Sequence, residues 1–104
     1  IAFWEDGREP ETKVVRTLRC NPVGGSHPWR TRACARLAQD GRALFLPTPP
    51  GMACAELFGG HQTALIRGQV DGRRVWSRFS RVDGCAITRW ERVVPLLPAT
   101  SGAS

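Results

Sequence analysis

Cys20, Cys34, Cys54 and Cys85 are the residues of this 104-residue chain whose type best suits them to covalent chemistry, and their separations narrow what that chemistry is. Thirteen, nineteen and thirty residues lie between successive cysteines. Zinc sites usually contain a close ligand pair, and no C-x-x-C occurs here, either as half of a zinc site or as a redox motif. His27 and His61 stand at arbitrary separations from the thiols, so neither a metal site nor a cofactor is expected. Four reduced structural cysteines, as in a cytosolic protein, stay open, but two structural disulfides are the favoured reading, which implies an oxidising, extracellular setting. Three pairings are open. The sequential one, Cys20 with Cys34 and Cys54 with Cys85, is favoured because each bridge then closes a moderate loop around one local unit.

The other reactive side chains do not assemble into an enzyme, and no catalytic residue is assigned. The chain has two histidines and no tyrosine, and neither histidine sits in a nucleophile signature. Gly24-Gly25 and Gly59-Gly60 lack the strand–loop–helix context of a phosphate-binding loop. His27, before Pro28 at a helix start, reads as structural, and His61 as exposed.

The segment around Glu56 reads differently. Pro47-Thr48-Pro49-Pro50-Gly51 narrows the unfolded ensemble, Cys54 ties the backbone to the body, and Gly59-Gly60-His61-Gln62 releases it. Leu57 and Phe58 lie between, large apolar residues in a stretch too weakly periodic for a core strand. They either fold back into a small satellite core or belong to an extended peptide presented to a partner's cleft. Pre-organising such a peptide lowers the ordering cost of association.

Composition bounds the rest. A chain this short is one domain whose core has a thin margin, to which each covalent staple adds roughly 2–4 kcal/mol. The formal charge is +6, almost all of the cations being arginine, and four of the nine acids precede residue 12. Such a surface can steer acidic partners, but solvation is the plainer reading and nucleic acid is not an expected partner. No stretch approaches the apolar length of a membrane span. Ile1-Ala2-Phe3-Trp4 is too short, and too closely followed by acids, to be an export signal, which a mature exported chain would have lost.

Phe3-Trp4 is expected as a short edge strand, and Lys13–Cys20 as a half-buried strand ended by the turn residues Asn21-Pro22-Val23-Gly24-Gly25. Trp29, Ala33, Cys34, Leu37 and Ala38 form one helical stripe, with Pro28 at its start and Asp40-Gly41 at its stop. Ala43–Leu46 is expected as a strand, and Asp71-Gly72 as a hairpin turn joining Leu65–Val70 to Arg73–Ser80. A short helix around Ala86–Trp90 and a last strand at Arg92–Leu96 complete the reading, with residues 1–12 and 98–104 flexible or at an edge. The fold class is α+β: an antiparallel sheet of about five strands, one main helix and a short second one.

Several motifs together resemble the Streptomyces subtilisin inhibitor family. They are Thr17-Leu18-Arg19-Cys20, Gly25-Ser26-His27-Pro28, Ala33-Cys34-Ala35-Arg36-Leu37-Ala38, Met52-Ala53-Cys54-Ala55-Glu56-Leu57 and Val70-Asp71-Gly72-Arg73-Arg74-Val75, with Cys85 at the expected separation. The resemblance spans roughly residues 13–92 and implies a secreted bacterial inhibitor of serine proteases with disulfides 20–34 and 54–85. It also implies a homodimer through the sheet. Carried over, Cys54 is P3, Ala55 P2, Glu56 P1, Leu57 P1′ and Phe58 P2′, with Met52 and Ala53 as further unprimed contacts and Glu56–Leu57 as the scissile bond. Ala55 and Glu56 depart from the family's usual proline at P2 and Met, Lys or Arg at P1. An acidic P1 suits a glutamate-preferring or broad subtilisin-like enzyme, with a metalloprotease as a further target class. The second reading is a non-inhibitory binding module that uses its basic surface, with Trp29 or Trp76, for polyanions or another protein.

Overall fold

The hairpin at Asp71-Gly72 organises the sheet. In the computed structural model, which describes residues 1–99, both turn residues have positive φ (53° and 75°). That is the backbone of the two-residue turn whose twist matches the flanking strands. It joins β3 (Thr63–Val70) to β4 (Arg73–Ser80) in an unbroken antiparallel register from Thr63↔Ser80 to Val70↔Arg73. Residues 100–104, part of the C-terminal stretch expected to fray, lie outside the described residues.

The sheet has four strands, not about five, in the order β2-β1-β3-β4. β1 (Ala2–Trp4) lies between β2 (Lys13–Val15) and β3, an interior place instead of the expected edge. The strand expected over Lys13–Cys20 stops at Val15, because its next residues turn into an isolated bridge between Arg19 and Gly24. Ala43–Leu46, rich enough in apolar residues to suggest a strand, instead lies largely in a 3₁₀ turn, Gly41–Phe45, that drops Leu44 into the core. Gly41, with φ 55°, stops the preceding helix and returns its N–H to the Leu37 carbonyl.

That helix, α1 (Arg30–Asp40), buries Ala33 and Cys34, but Trp29 stays half exposed outside its first turn. The Cys20–Cys34 bridge pins the segment before it to this buried face. His27 is a buried strut. Its Nδ1 accepts from the Trp29 N–H at 3.0 Å, which leaves Nε2–H to donate to the Leu96 carbonyl at 2.8 Å.

The second helix is longer than expected: α2 runs Gly84–Val93 and absorbs the start of the strand expected at Arg92–Leu96. Asp83 caps it, accepting from the Ala86 N–H at 2.8 Å. β-branched Val93 and Val94 favour a strand locally, yet burial prevails. Trp90, Val93 and Leu97 are fully buried, packed with Leu44 of the 3₁₀ turn and with Ala64, Ile66 and Phe79 from the inner face of the sheet. Trp90 meets Phe3 edge to face at 6.0 Å and donates its indole N–H to the Pro98 carbonyl at 2.9 Å, so it ties β1, α2 and the following turn.

At the end of the sheet away from the Asp71-Gly72 turn, Asp6 closes the turn that leads from β1 to β2. Hydrogen bonds from the Arg8 side chain and backbone hold its carboxyl down at about 2, from an ordinary 3.8. The contribution is thus present above the ordinary carboxylate value and is lost as pH falls through about 2. Trp90→Ala is expected to cost about 3–5 kcal/mol, the range for truncating a fully buried tryptophan, measured as a drop in the urea midpoint at constant slope.

Candidate functional site

Residues 52–60 carry no regular secondary structure and cross the end of α2. Irregular backbone of this kind holds a shape only where outside groups fix it. Two anchors do so here, one on each side of Glu56.

On the N-terminal side, the Cys54–Cys85 bridge fastens the segment to the first turn of α2, with Cα atoms 5.2 Å apart. One residue on, the Ala55 carbonyl accepts from the Gly84 N–H at 2.9 Å. Gly84 permits this approach: a Cβ there would lie 3.0 Å from the Ala55 Cβ and 3.3 Å from its nitrogen. The same Ala55 carbonyl accepts from the Leu57 N–H, also at 2.9 Å. An i to i+2 bond of that kind makes a γ-turn, so the backbone bends at Glu56 instead of running straight through it. The Glu56 side chain is exposed.

On the C-terminal side, Gly59 is gripped by one residue through both of its backbone groups. Its N–H donates to the Arg81 carbonyl at 2.7 Å, and its carbonyl accepts from Arg81 Nε at 3.2 Å. Arg81 is only 1% exposed. Its guanidinium also donates to Glu91 Oε1 at 3.0 Å and lies 5.7 Å from the Trp90 ring centre. A charge so deeply placed must be paired and hydrogen-bonded, and the Gly59 carbonyl is one of the groups that meets that need. Gly59 has no spare room: a Cβ would come within 2.8 Å of Ile87 Cδ1 and 3.2 Å of the Arg81 Cβ. Beyond it, the His61 carbonyl accepts from the Gly7 N–H at 2.7 Å and leads the chain into β3.

Met52, Leu57 and Phe58 are 55%, 58% and 48% exposed, so the satellite core open to Leu57 and Phe58 does not form. Phe58 instead rests edge to face against exposed His61 at 4.7 Å. A hollow of about 540 Å³ lies beneath the segment, lined in part by Pro49, Met52, Leu57, Thr88 and Arg92. The bracing therefore comes from one covalent and several hydrogen bonds more than from packing. Cys54, Asp83 and Cys85 lie close together, but both sulfurs are spent in the disulfide and offer no thiolate to a metal.

The structure thus brings Met52 to Phe58 into one exposed, tethered segment, and both bridges form in the sequential pairing. Sequence reasoning missed Arg81. The signal was present: Val75, Ser77 and Phe79 alternate on the buried face of β4, and one further step of two reaches residue 81.

A small two-bridge α+β protein with an exposed peptide fixed at both stems is built as a binding scaffold, and the comparisons say of which kind. Residues 4–82 match the family described as subtilisin inhibitor-like. Subtilisin inhibitor-like protein 1 of Streptomyces cacaoi is 33% identical over 84 residues, covering 77% of this chain and 74% of that protein. No solved structure matches. The chain belongs to the subtilisin inhibitor-like family, whose members are secreted serine protease inhibitors and not enzymes. Among the described residues no helix is long and apolar enough to cross a membrane.

Two changes separate the anchors. Replacing Cys54 and Cys85 together with serine is expected to lower stability by about 2–4 kcal/mol. Gly59→Ala, by forcing Gly59 away from Arg81, is expected to speed amide hydrogen exchange at Gly59 while leaving exchange in β3 and β4 unchanged. Equal exchange at residue 59 in variant and parent would show that the clamp does not hold this stem.

Proposed function

We propose that this protein inhibits a secreted serine endopeptidase by offering the Glu56–Leu57 bond, with Glu56 as the side chain that enters the enzyme's specificity pocket. Met52, Ala53, Cys54 and Ala55 would lie along the unprimed side, and Leu57 and Phe58 along the primed side. The observation that carries this reading is the pinning of the chain on both sides of the bond, at Ala55 before it and at Gly59 two residues after Leu57. Ala55 is held to Gly84 and, through Cys54, to Cys85, while Gly59 is held by Arg81.

The mechanism follows from that pinning. A serine hydroxyl that attacks the Glu56 carbonyl releases an amine at Leu57. In an ordinary substrate that amine diffuses away. Here it belongs to a stem fixed two residues on, so it stays close to the acyl group at a high effective concentration, and religation competes with hydrolysis. A segment already ordered also loses little entropy on binding. The enzyme supplies the chemistry, and the inhibitor supplies geometry.

Glu56 sets the target. An unpaired carboxylate buried in an apolar pocket costs several kcal/mol, and an acidic pocket would repel it. A pocket with a cation or hydrogen-bond donors, or one wide enough to leave the carboxylate hydrated, accepts it. The fit is therefore to a glutamate-preferring enzyme or to a broad subtilisin-like one.

The test is titration against glutamate-specific, subtilisin-like and trypsin-like proteases. Inhibition at nanomolar level or tighter, ordinary for protease–inhibitor pairs, is expected in the first or second class. No inhibition in any class would overturn the proposal. Glu56→Lys is expected to transfer inhibition to the trypsin-like enzyme and to weaken it by about a hundredfold against a glutamate-specific one. If the lysine variant keeps the parent's preference, the bond is misplaced.

A further inference from the structure

Leu44 and Leu46 stand two residues apart and meet opposite fates. Leu44 is 1% exposed in the core, whereas Leu46 is 57% exposed at the head of a proline-rich arm, Pro47-Thr48-Pro49-Pro50. The backbone at Leu46 is nonetheless held by three hydrogen bonds. Its N–H donates to the Ala43 carbonyl at 3.4 Å, and its carbonyl accepts from Arg89 Nε at 3.3 Å and from Arg92 at 3.4 Å. Arg89 carries that hold to β4. It donates to the Arg78 carbonyl at 3.0 Å and to Ser77 Oγ at 2.8 Å, with its guanidinium 4.7 Å from the Phe79 ring centre.

The arm itself has little freedom. Leu46, with φ −61° and ψ 138°, has polyproline II backbone. Each proline ring fixes its own φ near the same value and keeps the residue before it extended. The arm ends in a turn, where the Met52 N–H donates to the Pro49 carbonyl at 3.3 Å. Pro50 comes first in the bend and Gly51, with φ 80°, second, the residue order of a type II turn. That turn delivers the chain to Met52, where the segment around Glu56 begins. Thr48 and Pro49 share the hollow beneath that segment with Met52 and Leu57.

Ten large hydrophobic side chains are exposed among the described residues, and four of them, Leu46, Met52, Leu57 and Phe58, fall within residues 46–58. A single exposed leucine is ordinary. A rigid apolar strip continuous with a binding segment instead marks more of the same interface. A second copy of this chain is a poor occupant, because it would cover Met52 and Leu57 and close off the segment. The enzyme that takes Glu56 is already alongside. Polyproline II ridges are met by apolar surfaces that carry aromatic side chains.

We propose that Leu46 and residues 47–50 make a second contact with the inhibited protease, on an apolar, aromatic-bearing surface outside its substrate cleft on the unprimed side. This inference rests on the inhibitory reading of Glu56–Leu57 and extends it. The pocket that takes Glu56 selects the enzyme's P1 preference, and the arm selects among enzymes that share that preference. Because the arm is ordered before the encounter, its contact adds affinity with little further loss of entropy.

Inhibition constants of Leu46→Ala and Leu46→Asp against the protease that the parent inhibits most tightly test it. Leu46→Ala is expected to weaken inhibition about tenfold and Leu46→Asp about a hundredfold, mainly through faster dissociation. The loss in Leu46→Ala is expected to be the same at low and high salt, since no charge takes part. Val23→Asp alters a side chain 45% exposed, which lines a hollow with Asp71 at the far end of the sheet, and is expected to inhibit like the parent. Amide exchange at Leu57 in free Leu46→Ala is expected to match the parent, which separates a lost contact from a loosened segment. Parent-like inhibition by both Leu46 variants would overturn the inference and leave the Glu56–Leu57 reading standing, whereas no inhibition by the parent takes both down. Faster exchange at Leu57 in the alanine variant would also overturn it, by making the arm a brace and not a contact. So would a dimer in sedimentation that Leu46→Asp dissociates, by assigning the strip to a second copy.

Discussion

The grip of Arg81 on Gly59 is the interaction on which the functional segment most depends. A disulfide alone fixes one stem, and a peptide held at a single point still swings. The second point comes from a guanidinium with nowhere else to place its donors: 1% exposed, over the Trp90 ring, with Glu91 on one side and the Gly59 carbonyl on the other. Desolvation makes that arrangement demanding, because each unmet donor in such a place is expensive. The same demand makes the contact with Gly59 hard to give up.

This anchoring also accounts for the small residues beside the segment. Gly59 and Gly84 look like flexibility in a sequence, yet both are sites where two backbones touch and a methyl group would collide with Ile87 or Ala55. Their lack of a side chain tightens the segment. The glycines after Cys54 had suggested a point of release, and for Gly59 the structure gives the reverse.

Much of the fold could be read from local chemistry. The Asp71-Gly72 turn and the alternation Val75, Ser77, Phe79 gave the hairpin its register, because turn geometry and the two-residue period act within a few residues. The stripe through Ala33 and Cys34 gave α1, although Trp29 and Ala38 lie outside the buried part of it. Errors arose where burial overrode propensity. Val93 and Leu96 look like strand residues, but the cavity between sheet and helix needed volume, and it took them as the end of a helix and a turn. Leu44 followed the same rule in its 3₁₀ turn. For the site, the exposed segment was legible from Cys54 and its prolines. The bend at Glu56 and the Arg81 clamp were not, since both rest on partners distant in sequence.

Because Arg81 reaches Gly59 from within the core that Trp90 fills, the segment has no easy route to loosen by itself. Letting go would leave the buried Arg81 with the Glu91 carboxylate but without the Gly59 carbonyl, so the desolvation of its Nε–H opposes fraying there. In surroundings rich in proteolytic enzymes, such wiring keeps shut a stem that a loosened backbone would offer for cleavage.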